Sequence, residues 1–172
     1  MALRDTLQRL QHDRSSAQPL DKSAVIQEWQ KAVASLMATI QTFLQEYSEN
    51  GTIAFVHSVM QLTEEPLGAY QIPQMALRAG PAVLMAQPIG RMVAGATGRV
   101  DLYRQGHGAE SQRVMLLRDS APEESAQWRL LIPPKDRSFE IMDPVALRQS
   151  LQRIERPLTK ENLEVALDRL LQ

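Results

Sequence analysis

The feature that most constrains this chain is a change of hydrophobic period at Asn50-Gly51. Before it, apolar residues recur every three or four positions: Ile26, Trp29, Val33, Leu36, Met37, Ile40, Phe43, Leu44 and Tyr47. After it, short apolar and β-branched segments run with a period near two, separated by turn residues. A spacing of three and four lines one stripe of a helix, and a period of two lines one face of a strand. One long amphipathic helix must therefore be followed by a sheet.

The helix is predicted over 23–49, about 40 Å long at 1.5 Å per residue. Asp21 and Ser23 both suit its N-cap, and Gly51 its left-handed stop. The stripe can cover a sheet, and it can also be written as heptads, which makes Trp29, Val33 and Ile40 candidates for a dimer helix. Strands are predicted at 52–62, 67–77, 83–87, 99–105, 112–118 and 127–132. Pro73 is expected to confine the second to an edge or a bulge. Turns this short join antiparallel neighbours, because a parallel crossover needs a dozen or more residues. Two C-terminal helices follow, one opening at Asp143-Pro144 and running through Val145, Leu147, Leu151 and Ile154, one capped by Thr159. The fold class is α+β: a long N-terminal helix on an antiparallel β-meander, either a twisted sheet or a partly closed barrel, with two C-terminal helices. Residues 1–22 form an N-terminal arm with Leu3, Leu7 and Leu10 on one stripe, and 23–172 a single domain.

Composition narrows the chemistry. The 172 residues contain no Cys, which removes disulfides, thiolate metal sites and Cys nucleophiles. Lys plus Arg is 19 against 20 for Asp plus Glu, a net charge of -1, so no global imbalance points to nucleic acid or to a membrane surface. No apolar run approaches a membrane span or a secretory h-region, and the expectation is a cytoplasmic, bacterial protein.

Several strings invite a chemical reading. Gly95-Ala-Thr-Gly98 resembles the glycine turn of nucleotide-binding reductases, but that site needs a helix after the glycines, and Arg99–Arg104 alternates as a strand. The expectation is a bend. GxxxxGK[ST] and GxSxG are both absent. Asp101 on a strand suits a metal-dependent nuclease only if a carboxylate and a Lys lie on the next strand, and Gln112–Arg118 offers neither, which favours a solvated or ion-paired Asp. His12, His57 and His107 have no ligand spacing, and Trp29 and Trp128 lie on apolar stripes, as core residues do. No catalytic, cofactor or metal residue is assigned, and no cofactor is expected. The one charge asymmetry is Arg78 to Arg118, with six Arg against Asp101 and Glu110. If Arg99, Arg113 and Arg129 share a sheet face, they are candidates for contact with an anion or a nucleic-acid backbone.

Pro88-Ile-Gly90, then Gly95-Ala-Thr-Gly98-Arg-Val-Asp-Leu102, then Trp128 ahead of a Pro-rich link and a Leu-rich closing helix, resembles a pattern in uncharacterised bacterial proteins. The resemblance covers roughly residues 52–172 and implies no activity, ligand or catalytic residue. The leading expectation is a non-enzymatic binding or accessory protein, acting on a protein partner or as a homodimer and not on a membrane. The alternatives are nucleic-acid or anion binding on the Arg face, and an enzyme whose site is built from scattered residues.

Overall fold

The computed structural model describes Leu3, Thr6 and residues 19–107, 112–120, 127–133 and 154–172. It is an α+β fold with helices at both ends of a seven-stranded antiparallel sheet. Helix α1 spans Lys22–Phe43 and a single turn, α2, spans Gln45–Glu49. The strands are β1 (Ala54–Glu64), β2 (Gly68–Ala79), β3 (Ala82–Gly90), β4 (Arg99–Arg104), β5 (Val114–Arg118), β6 (Trp128–Ile132) and β7 (Ile154–Pro157). Helix α3 (Lys160–Leu171) closes the chain. Spatial order equals sequence order, so the sheet is an open meander with β1 and β7 as its edges.

The helix boundaries follow from local chemistry. Asp21 caps α1 by accepting from the Ala24 N–H at 3.1 Å. The predicted continuous helix over 23–49 is corrected: the regular helix ends at Phe43, and Leu44 turns its side chain into the core before α2 resumes. Gly51, at φ 79, then makes the stop. Thr159 caps α3 by accepting from the Asn162 N–H at 3.2 Å. Thr159→Ala is expected to lower stability by about 1 kcal/mol, read as a shifted denaturation midpoint at unchanged slope.

Helices α1 and α3 pack on one face of the sheet. Trp29, Val33, Leu36, Met37 and Ile40 of α1 and Leu163, Ala166 and Leu170 of α3 share a single core with Met75, Leu77, Leu84, Val100, Leu102, Leu116 and Leu130. Trp29, Val33 and Ile40 have no exposed surface. The three residues named for a dimer helix are thus packed against the chain's own sheet. Of the two predicted C-terminal helices, the second is α3. The first falls outside the described residues except for Ile154, which belongs to strand β7 and not to a helix. The N-terminal arm lies outside them too, apart from Leu3, Thr6 and residues 19–22, where Asp21 and Lys22 already belong to the start of α1.

Two prolines shape the sheet. The β2–β3 ladder runs from Ala79↔Ala82 to Met75↔Ala86. Continuing that register would set Pro73 opposite Pro88, two residues without an N–H, and the ladder stops there. β2 is thus an interior strand, against the edge-or-bulge expectation, but beyond Met75 only its β1 side is paired. On its other side α1 takes over: the Gln30 side-chain N–H donates to the Gln71 carbonyl at 2.6 Å. Pro88 sits at the register shift of β3 against β4, a position where a missing donor is tolerated.

Candidate functional site

The side of the sheet turned away from α1 and α3 is where the charged chemistry collects. Cross-strand partners share a face, so the registers define its rows. One row reads Val56–Ala76–Met85–Tyr103. The next reads Gln87–Asp101–Met115–Leu131–Glu155. A third reads Arg99–Leu117–Arg129–Pro157. Met85, Met115, Leu117 and Leu131 are half-buried, and no described helix lies over them.

Asp101 is the polar centre of this face and is fully buried. Alternation along β4 points Arg99, Asp101 and Tyr103 the same way, so Arg99 forks onto the carboxylate two residues on. Its Nε and Nη2 donate to the two oxygens at 2.7 and 2.8 Å. Arg113, immediately before β5, adds an Nη1 contact at 3.5 Å, and its guanidinium lies 4.3 Å above the Tyr103 ring. The Tyr103 hydroxyl donates to Gln87 Oε1 at 2.7 Å. The network links β3, β4 and the residue that precedes β5, with two guanidiniums sharing one carboxylate. Arg129 pairs with Asp119 at 3.1 Å and Glu155 at 2.9 Å, and also donates to the Gly95 carbonyl at 3.3 Å. Arg99, Arg113 and Arg129 do share a sheet face, and each guanidinium meets a protein carboxylate.

At the end of the sheet nearest α1, residues 91–98 form the expected glycine-rich bend between β3 and β4. The Thr97 N–H donates to the Arg118 carbonyl at 2.9 Å and the Arg118 N–H to the Gly98 carbonyl at 3.0 Å, so the segment feeds a strand ladder and not a helix start. Two carboxylates hold it down. Glu64 Oε1 accepts from the N–H groups of Arg91 and Met92 at 2.8 and 2.9 Å, and Gly90 leaves the space that carboxylate fills, since a Cβ there would lie 2.9 Å from it. Glu64 also accepts from the Tyr70 hydroxyl, whose pKa is pushed up by burial and then by that bond. Glu28 of α1 pairs with Arg91 at 3.3 Å and with the buried Arg118. Beside them the Trp29 indole N–H, which approaches the Tyr70 hydroxyl, makes no hydrogen bond of normal geometry.

Sequence reasoning places Asp101 as a solvated or ion-paired strand residue, and the structure shows the ion-paired form. It misses Glu28, Glu64 and Arg118, because nothing along the chain links one helix residue to positions 36, 63 and 90 residues later. Among the described residues no three His, Asp or Glu come together as a metal-binding group. None of the described helices is long and apolar enough to cross a membrane. No protein-family model matches the chain, and no curated protein and no solved structure matches it either.

Proposed function

We propose that this protein is a non-enzymatic binding or accessory protein that takes a protein partner on the face of the sheet away from α1 and α3. The observation that carries the reading is the composition of that face. Half-buried Met85, Met115, Leu117 and Leu131 flank an Arg99–Asp101–Arg113 network in which two guanidiniums share one buried carboxylate. Apolar side chains set around paired charges suit protein docking, in which the apolar groups contribute affinity and hydrogen-bonded polar groups add less desolvation cost than unpaired ones. Methionine adapts its shape to a partner more readily than branched side chains do.

The test is site-specific photo-cross-linking in the native host, from probes at Met85 and Met115 and from a control probe at Glu161 on α3. Discrete protein adducts from the two sheet positions, absent from the control and unchanged by nuclease, are expected. Adducts that nuclease removes, or the same adducts from all three positions, would overturn the reading.

A further inference from the structure

The two edges of this sheet are built in opposite ways. β7 is four residues long and carries Glu155, Arg156 and Pro157, which are devices that keep an edge from pairing with another chain. β1 is eleven residues long and bears neither a proline nor a charged side chain before Glu64. Glu64 in turn is committed inward to Arg91 and Met92. Its register with β2 runs through eleven successive pairs without a bulge, so no kink turns the outer row of N–H and C=O groups away. Val59, 61% exposed, and Val56, 39% exposed, stand on this strand, and α1 lies over β2, leaving the outer side of β1 clear of that helix.

We propose that β1 is a homodimerisation edge, pairing antiparallel with β1 of a second copy about a two-fold axis near Val59. Three observations favour a second copy over an extended peptide from another protein. A second β1 is already held straight by its own β2, so it loses little conformational freedom on pairing, whereas a free peptide must be ordered residue by residue. An axis at Val59 sets Val59 against itself and His57 against Gln61, and it opposes no two carboxylates or ammonium groups. A chain of net charge -1 also offers little general repulsion to its own copy. Antiparallel pairing requires the axis to stand normal to the sheet, so the two faces away from the helices become one continuous surface. The proposal rests on the backbone edge and stands independently of what that face binds.

The full chain is tested by sedimentation across a concentration series, as wild type, Val59→Lys and Val59→Thr. The wild type and Val59→Thr are expected to dimerise. Val59→Lys, which opposes two ammonium groups at the axis, should raise the dimer dissociation constant about tenfold or more. Circular dichroism melts of all three report whether the fold is kept. Because the chain has no Cys, single-cysteine variants at His57, Ser58, Val59, Met60 and Gln61 give a second, clean readout. Opposed strand residues lie within disulfide reach, so oxidation to a covalent dimer should peak at the axis and be slow for Arg156→Cys on β7. A wild type that stays monomeric throughout overturns the proposal. So does a dimer that survives Val59→Lys and cross-links no faster through β1 than through β7.

Discussion

Trp29→Ala is expected to lower the unfolding free energy by about 3–5 kcal/mol, the range for truncating a fully buried aromatic side chain. Trp29 has no exposed surface and stacks at a tilt on Trp128, with ring centroids 6.1 Å apart. It joins α1 to β6 and to the bend before β4. Gly98 shows how closely the indole is fitted, because a Cβ on that residue would lie 2.4 Å from Trp29 Cζ3. Gly98→Ala should therefore overpack the same spot and cost about 2–3 kcal/mol. Phe at position 29 is smaller and frees that space. Gly98→Ala should accordingly cost much less in a Trp29→Phe background than in the wild type, a coupling that chemical denaturation of the four chains would measure. A midpoint unmoved by Trp29→Ala, or additive effects at positions 29 and 98, would mean the indole is not seated against that backbone.

The same pair shows what the sequence discloses and what it withholds. Trp29 is legible as a core residue because it falls on a stripe that also holds Val33, Leu36 and Ile40. Gly98 is legible only as a bend residue. Its close approach to an indole 69 positions earlier depends on how α1 lies on the sheet, which no local pattern records. Six strands are legible for a similar reason: turn residues separate them, and short turns force antiparallel order. Strand β7 is missed because Ile154–Pro157 is four exposed residues with no alternation to read, so a helical pattern upstream was extended through Ile154. Pro73 is legible as a disruption, but its meaning needs the register that would set it opposite Pro88. On the candidate face, strand alternation alone points Arg99 and Asp101 the same way. That Arg113 and Tyr103 join them depends on cross-strand register, which is set by the turn between β4 and β5.

Asp101 is expected to be the most sensitive position on the face away from the helices. Its carboxylate is fully buried and accepts both arms of Arg99 and the nearer arm of Arg113. Removing one partner of a buried ion pair typically costs about 3–5 kcal/mol, because the remaining charge is left uncompensated. Here the Arg99 and Arg113 side chains are 20% and 25% exposed, so part of each guanidinium can turn to water, and the expected loss for Asp101→Ala falls to about 2–4 kcal/mol. Asp101→Asn retains the shape and one acceptor and should fall between wild type and Asp101→Ala. The deciding comparison replaces the charge on both sides. Asp101→Leu combined with Arg99→Met removes the buried carboxylate together with its closest cation, and should recover most of the stability lost in Asp101→Leu alone. Urea denaturation of the singles and the double measures this directly. A double variant no more stable than the worse single would mean that the site depends on the specific fork between Arg99 and Asp101. An Asp101→Ala loss below about 1 kcal/mol, within the range of an exposed pair, would mean that the network contributes little to holding β4 against β5.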